Sequence, residues 1–181
     1  YADGIPGQQA FDDYYREVSR YEYALDAGRQ SEWDFARFEA IAAAIAPHFP
    51  SADARVLEVG CATGGLLSLL QRRGYRRLLG VDPSPACARA AERLYGLRVV
   101  PGTLAALPVG EGPFDLVILV GVLEHVVDLS GALARLRAAL APEGCLYAEV
   151  PDATRFSAAL DAPYQEFSVE HLLFFSPRSL A

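Results

Sequence analysis

The stretch VLEVGCATGG, residues 56–65, decides the fold, because an apolar run ends within it and a glycine-rich turn begins. The run up to Val59 predicts a buried strand, and Gly60 and Gly64 predict a tight turn. The following GGLLSLLQRR has the apolar spacing of a helix. A strand, a glycine turn and a helix in this order form the part of parallel α/β sheets that binds phosphates and dinucleotides. The turn therefore poses the question of which ligand it fits.

Strands and helices alternate along the chain on the C-terminal side of this stretch. RVLEVG, RLLGVD, LRVV, FDLVILVG and CLYAEVP predict five strands, with APEG, residues 141–144, as a turn before the last one. The alternation predicts an α/β fold with a doubly wound, mainly parallel, Rossmann-like sheet. Two amphipathic helices are predicted ahead of it. We therefore divide the chain into an N-terminal helical cap or lid, residues 1–50, and a Rossmann-like domain, residues 51–181.

Composition excludes several classes of protein. The 181 residues are 52% hydrophobic, enough for a core, and the net charge of −7 with scattered arginines argues against nucleic-acid binding. All sixteen basic residues are Arg, which excludes a P-loop lysine and a Schiff-base lysine. Three cysteines without zinc spacing, and no apolar run of membrane-spanning length, predict a cytoplasmic protein with no membrane partner. The absence of Met leads us to expect a trimmed chain or a fragment.

Two residues in and before the turn bear on the ligand. The segment from Gly60 to Gly65 follows the dinucleotide fingerprint G-x-G-x-x-G, except that Ala62 replaces the glycine that lets a pyrophosphate approach the backbone. Glu58 places a carboxylate inside the apolar strand, where burial is costly unless something compensates. An ammonium-bearing ligand provides that compensation, whereas a pyrophosphate does not. Asp82, at the end of the second strand, can hold a ribose diol under either hypothesis.

Four successive segments, VLEVGCATGG, GVDPSP, FDLVILVGVLEHVVD and LAPEGCLYAEVPD, resemble the ordered motifs of the class I S-adenosylmethionine-dependent methyltransferases. The resemblance covers residues 53–152 and is strongest to small-molecule enzymes of the ubiquinone-biosynthesis and natural-product type. The tail EFSVEHLLFFSPRSL is similar to a segment of sugar and natural-product methyltransferases. The family sheet usually has two more strands than this chain, so the resemblance implies C-terminal strands that are missing here.

The resemblance implies S-adenosylmethionine as cofactor, S-adenosylhomocysteine as product, and a role for each matched residue. Glu58 would organise the first loop near the methionine ammonium, and Asp82 would take the ribose hydroxyls. Thr103 stands where the family often has an acidic residue that binds the adenine amine. The implied cofactor positions also include the methionine loop Gly60, Cys61, Ala62 and Gly64, the adenine border Pro83 and Leu104, and Gly121 beside the sulfonium.

The acceptor side of the site is predicted to carry Glu124, His125 and His171. His125 follows the fourth strand and suits a general base at neutral pH, although a buried structural histidine is an equal interpretation. Two Glu-His pairs, 124–125 and 170–171, are compatible with a mixed carboxylate and imidazole metal site, but their long separation leads us to expect no metal.

Two further predictions concern single residue types. Cys61 is interpreted as a small loop-lining residue, not a nucleophile, because no histidine or aspartate is placed to activate it. Tyr15 and Tyr21, on the predicted N-terminal helix, are candidates for contact with the cofactor or substrate.

The sequence thus predicts methyl transfer from S-adenosylmethionine to a small-molecule acceptor. Two alternatives stay open at this point. One is an NAD-dependent oxidoreductase, and the other is a non-catalytic methyltransferase-like module of a larger protein.

Overall fold

The computed structural model describes residues 4–17, 32–49, 51–107, 110–158 and 170–180. Within these residues the predicted alternation of strands and helices is confirmed. The helices are α1 Gln8–Glu17, α2 Glu32–Ile45, α3 Gly65–Arg72, α4 Pro85–Tyr95 and α5 Leu129–Ala139, and the strands are β1 Arg55–Val59, β2 Arg77–Asp82, β3 Val99–Pro101, β4 Phe114–Val120 and β5 Leu140–Glu149.

The five strands form one sheet in the order β3-β2-β1-β4-β5, and every neighbouring pair is parallel. Strand β1 lies at the centre, with Glu58 paired to Gly80 of β2 on one side and to Ile118 of β4 on the other. The strand order reverses between β1 and β4, and open α/β sheets bind ligands beyond the carboxyl ends of the strands at such a point. The topology therefore places the turn that follows β1 at the expected ligand edge.

Alternate residues of the strands pack into two separate cores, one on each face of the sheet. Val56 of β1 and Ile118 of β4 face a core that contains the buried side of α2 and α3. Leu57 and Val117, their sequence neighbours, face the opposite core, which contains the buried side of α5. Helices on both faces confirm the doubly wound architecture. Because α2 contributes to the first core, it is built into the α/β unit, and α1 alone remains a candidate for the lid.

The segment APEG, residues 141–144, predicted as a turn, falls within the bounds of β5 but has no partner in β4. A Cβ on Gly144 would lie 3.0 Å from the Ala141 backbone nitrogen, so the chain folds back tightly there. The strand pairs Leu140 with Phe114 and then Cys145 with Leu116, so five residues of β5 advance beside two residues of β4. The chain accommodates the glycine and proline as an irregularity of the strand, as β-bulges do. Among the described residues, no helix has the length and apolar character needed to cross a membrane.

Gly80 allows the first loop to pack directly on β2. A Cβ at this position would lie 2.6 Å from Cys61 Sγ and 2.8 Å from Val99 Cγ2, well inside van der Waals contact. We expect Gly80→Ala to lower the free energy of unfolding by about 1–3 kcal/mol through overpacking. Urea denaturation should show this loss, and Gly110→Ala, where a Cβ meets nothing within 4 Å, should change stability by less than about 0.5 kcal/mol. Equal effects of the two substitutions would contradict the proposed packing.

Candidate active site

A cavity of about 250 Å³ lies at the carboxyl ends of the central strands. Its wall comes from the segments that follow β1, β2, β3 and β4, together with one side of α1 and the start of α5. The sequence-predicted residues in this wall are Gly60, Pro83, Thr103, Leu104, Tyr15 and His125.

The loop after β1 has a strained backbone that is fixed by a carboxylate from the neighbouring strand. Gly60 has φ +72°, and Ala62, which has a Cβ, has φ +47°. The Ala62 backbone N–H donates to Asp82 Oδ2 at 2.8 Å, and the Ser84 N–H donates to Asp82 Oδ1 at 2.9 Å. A left-handed conformation costs an L-residue about 1–2 kcal/mol, so this hydrogen bond offsets part of the strain. Asp82 thus joins the β1 and β2 loops.

The loop continues into α3, where the remaining predicted loop residues lie. Gly64 precedes the first residue of α3 with φ +80°. Cys61 is buried, and burial together with the nearby Glu58 and Asp82 carboxylates raises the pKa of its thiol well above the usual value. The thiolate is therefore disfavoured, which supports the interpretation of Cys61 as a packing residue.

Glu58 is a buried carboxyl group at the centre of the sheet, with only 3% of its surface exposed. Burial, and secondarily the Asp82 carboxylate, raise its pKa to about 8, although a Leu67 backbone hydrogen bond opposes the shift. Within the described residues, Glu58 Oε2 has no hydrogen-bond partner. A buried oxygen of this kind costs stability unless a donor reaches it, and a cationic ligand group is the donor that fits best.

The raised pKa of Glu58 predicts a specific dependence of stability on pH. Between pH 4.5 and about 8 the unfolded chain releases the Glu58 proton, whereas the folded protein keeps it. Stability therefore falls as the pH rises through this window. We expect Glu58→Gln to be as stable as the wild type near pH 5 and more stable, by up to a few kcal/mol, near pH 8. Denaturation at both pH values measures this difference. Glu92→Gln, on the exposed side of α4, should show none, and a Glu58→Gln difference that does not vary with pH would refute the shift.

The segment after β3 contributes to the cavity wall. Thr103 and Leu104 both line it, and Leu104 is buried. Thr103 Oγ1 is a buried hydroxyl oxygen with no hydrogen-bond partner in the described part of the chain. Hydroxyls both donate and accept, so Thr103 fits a ligand edge that carries an amine or a ring nitrogen. Thr103 lies in the cavity wall, whereas Glu58 is buried in β1 and is not among the residues that line the cavity.

His125 connects the β4 loop to α1 and to the C-terminal segment. Its Nδ1 lies 2.8 Å from the Glu170 carbonyl oxygen and 3.0 Å from Tyr15 Oη. A carbonyl oxygen only accepts hydrogen bonds, so this contact places the proton on Nδ1. The neutral ring then carries its lone pair on Nε2. The Glu170 carbonyl group therefore orients the His125 ring.

Glu124 and His171 lie beside His125, although 45 residues or more separate His171 from the other two along the chain. The rings of His125 and His171 pack edge to face with centroids 4.9 Å apart. Gly121 begins the loop that carries Glu124, with φ +67° and its N–H donating to the Glu149 carbonyl oxygen at 3.0 Å. The three acceptor-side residues predicted from the sequence therefore form one cluster, next to the cavity wall at His125.

The N-terminal helix contributes more than the sequence analysis predicted. Gln8 and Asp12 line the cavity together with Tyr15, and the spacing of 8, 12 and 15 is that of one helix face. The same spacing is visible in the sequence, but only tyrosines of this segment were chosen there as candidates for ligand contact. Tyr21 lies outside the described residues. Asp128 and Arg135, also in the wall, were missed because nothing in their local sequence distinguishes them from a helix cap and an exposed helix position.

Comparison with known proteins gives a consistent family signal. A family model described as "Methyltransferase domain" matches residues 32–181. A trans-aconitate 2-methyltransferase of Methylobacterium nodulans is 38% identical over 104 residues, which are 56% of this chain and 40% of that protein. A ubiquinone biosynthesis O-methyltransferase of a Methylobacterium species is 33% identical over 116 residues, covering 61% of this chain and 46% of the relative.

The fold also matches solved structures. A Burkholderia thailandensis 1,6-didemethyltoxoflavin-N1-methyltransferase, crystallised with 1,6-didemethyltoxoflavin and S-adenosylhomocysteine, superposes with a TM-score of 0.64. The two proteins are 24% identical, and the match covers 84% of this chain and 68% of that one. At this identity the likeness establishes the fold alone. The chain spans less than half the length of the two curated relatives described above.

Proposed function

The chain belongs to the class I S-adenosylmethionine-dependent methyltransferases, and we propose that it transfers a methyl group from S-adenosylmethionine to a small-molecule acceptor bound at the cavity. The single observation that carries this proposal is the position of Glu58. Its buried carboxyl group lies in the central strand, directly before the turn that begins the cavity wall. A cofactor with an amino-acid ammonium stabilises the ionised form of this carboxyl group, whereas the pyrophosphate of a dinucleotide would disfavour that form.

The cofactor half of the site is built from the first three strand ends. In the proposed mode, Glu58 accepts from the ammonium and the loop from Gly60 to Gly64 surrounds the methionine portion. Asp82 already accepts two backbone hydrogen bonds, and a carboxylate has about four acceptor positions. It therefore retains capacity for the ribose hydroxyls. Thr103 and Leu104 hold the adenine between a hydroxyl and an apolar side chain.

The acceptor half is formed by the β4 loop and α1. When bound, S-adenosylmethionine supplies an activated methyl group on a sulfonium. The protein then has to align the acceptor, exclude water and remove a proton where the nucleophile carries one. His125 can accept that proton as the general base, and the Tyr15 hydroxyl, 3.0 Å from Nδ1, helps to hold the ring. We assign α1 the role of the lid, since Gln8, Asp12 and Tyr15 close one side of the cavity.

Ala62 supports the choice of S-adenosylmethionine over NAD. Its methyl group occupies the position where a dinucleotide loop needs glycine for close approach of the pyrophosphate. Its left-handed backbone fixes this methyl group within the loop. We therefore expect that NAD⁺ and NADH do not compete with S-adenosylhomocysteine.

The test is turnover of S-adenosylmethionine by the purified protein with panels of hydroxyl-, carboxyl- and amine-bearing acceptors, followed by mass spectrometry of S-adenosylhomocysteine. Acceptor-dependent product formation is the expected result. Binding without turnover on any acceptor would favour a non-catalytic module. Reduction or oxidation of a nicotinamide cofactor would favour the oxidoreductase.

Thr103→Val keeps the shape of the side chain and removes the hydroxyl. In the same turnover assay it should raise the KM for S-adenosylmethionine by about 5- to 10-fold, as for one neutral hydrogen bond, with kcat nearly unchanged.

A further inference from the structure

We propose that Glu124, His125 and His171 bind one divalent cation of the Zn²⁺ type at the acceptor end of the cavity. This inference rests on the proposed function for the identity of the reaction, but not for the existence of the site. In the part of the chain that the structure describes, one ligand atom from each of the three side chains lies within 4.8 Å of the others. From the sequence we expected no metal, because the two Glu-His pairs are far apart along the chain, but the fold brings Glu124, His125 and His171 together.

The donor set matches a catalytic zinc site. Two imidazoles and one carboxylate leave a fourth position open, as in catalytic zinc centres with three protein ligands. Imidazole nitrogens favour Zn²⁺ and its neighbours over Mg²⁺ or Ca²⁺, which prefer oxygen ligands. Two ligand atoms that each lie about 2.0–2.2 Å from one ion can be up to roughly 4.3 Å apart. The spacing of the three groups is therefore within a small side-chain adjustment of coordination.

The hydrogen bond of His125 is of the kind that supports metal ligation. Histidine ligands usually donate their other ring N–H to a carbonyl or carboxylate, which fixes the tautomer and the ring orientation. Here the His125 Nδ1 proton faces the Glu170 carbonyl oxygen at 2.8 Å. A metal ion would then be bound through Nε2. The hydrogen bond also joins His125 to the residue that directly precedes His171.

Backbone hydrogen bonds hold the two halves of the cluster together. The Leu172 and Leu173 N–H groups both donate to the Glu124 carbonyl oxygen, at 2.7 and 3.0 Å. A bridge between Asp152 and Phe175 anchors the same C-terminal segment to the end of the sheet. The three ligands therefore stand on segments whose relative position is fixed by the main chain, so little backbone order has to be gained on binding.

Burial makes a cation electrostatically favourable at this position. Glu124 has only 3% of its surface exposed, and a buried carboxylate is stabilised by a positive charge in contact with it. Without a metal, the same three side chains would only stabilise the loop by hydrogen bonds among themselves. A metal site and a purely structural cluster differ in one measurable property, which is stoichiometric binding of the ion.

The site narrows the acceptor class to molecules that are methylated on oxygen. A cation at the open position polarises a hydroxyl or carboxylate oxygen and lowers its pKa. The hydroxyl proton leaves to solvent, the oxygen lone pair forms the new bond to the methyl carbon, and the carbon–sulfur bond breaks with its electrons remaining on sulfur. With the cation bound, His125 is a metal ligand and not the general base. The cation then promotes loss of the proton from the acceptor hydroxyl.

The experiment is titration of the chelator-treated protein with Zn²⁺ in competition with a chromophoric chelator. One Zn²⁺ per chain with submicromolar affinity is expected, and Mg²⁺ at the same concentration should not compete. His171→Gln and Glu124→Gln should each weaken Zn²⁺ binding by about 100-fold or more. His48→Gln removes the remaining histidine of the chain, which lies exposed at the end of the short helix Ala46–His48, and should leave affinity within twofold.

Two controls keep the result independent of folding and of the proposed function. Zn²⁺ should raise the thermal unfolding midpoint of the wild type and of His48→Gln, but not of the two ligand variants. Absence of saturable Zn²⁺ binding, or an equal loss in His48→Gln, would overturn the cation site. Zn²⁺ binding without any binding of S-adenosylhomocysteine would instead overturn the proposed function and leave the cation site standing.

Discussion

Replacing Gly60 by alanine is expected to lower the free energy of unfolding by about 2–5 kcal/mol and to abolish binding of S-adenosylhomocysteine. Gly60 has φ +72°, and a Cβ there would lie 2.6 Å from Val122 Cγ2. Valine is branched at Cβ, so its methyl group moves only if the whole side chain rotates. Val122 lines the cavity, so any such rotation changes the shape of the binding site as well.

A matched glycine separates the two contributions of Gly60. Gly96 has a similar φ of +64°, but a Cβ there meets nothing within 4 Å. Gly96→Ala should therefore cost only the backbone strain, about 1–2 kcal/mol, and leave ligand affinity unchanged. The double variant Gly60→Ala, Val122→Ala should recover the part due to the clash. Equal destabilisation by Gly60→Ala and Gly96→Ala, or no recovery in the double variant, would show that the contact with Val122 is not responsible.

Asp82→Ala is expected to weaken S-adenosylhomocysteine roughly ten- to a hundredfold, the effect of losing hydrogen bonds to a charged group. The substitution leaves the Ala62 and Ser84 N–H groups, now 2.8 and 2.9 Å from the carboxylate oxygens, without their acceptor. The strained loop at Ala62 is then free to relax away from its binding geometry. Calorimetric titration measures the affinity, and Asp53→Ala, which removes an exposed acid paired with Arg76, should have no effect.

The ligand itself distinguishes a ribose contact from a purely loop-holding role of Asp82. In the wild type, an analogue without the ribose hydroxyls should bind more weakly than S-adenosylhomocysteine. In Asp82→Ala the two ligands should bind equally, because the partner of the hydroxyls has been removed. If removal of the hydroxyls costs the same affinity in both proteins, Asp82 acts only on the loop.

The parts of the fold that follow from local pattern were predictable from the sequence. Apolar periodicity and glycine positions within a few residues encode the strand from Arg55 to Val59 and the turn at Gly60. They also encode the succession of five strands along the chain. Residues 141–144 carry turn-forming residues and have no partner in β4, and pairing resumes at Cys145, where the sequence predicts the fifth strand to begin. The additional pair of Leu140 with Phe114 is a tertiary effect that the local pattern does not carry.

The site was predictable in its residue types and not in its connections. Glu58 and Asp82 stand out because acidic residues are rare at the ends of buried strands. That Asp82 accepts from Ala62, 20 residues away, depends on the packing of β1 beside β2. The contacts of His125 with Tyr15 and Glu170 span 110 and 45 residues. Local patterns carry no information on such distances, so the sequence left a general base and a structural role equally open for this histidine and led us to expect no metal.

The most direct test of the central claim is titration of the wild-type protein with S-adenosylhomocysteine at pH 7, by calorimetry in buffers of different ionisation enthalpy. With a pKa of about 8, Glu58 is mainly protonated before binding, and contact with the ligand ammonium favours its ionised form. The account predicts one ligand per chain and release of up to about one proton, with the proton release absent in Glu58→Gln. No saturable binding of S-adenosylhomocysteine, or binding of NAD⁺ in its place, would contradict the account.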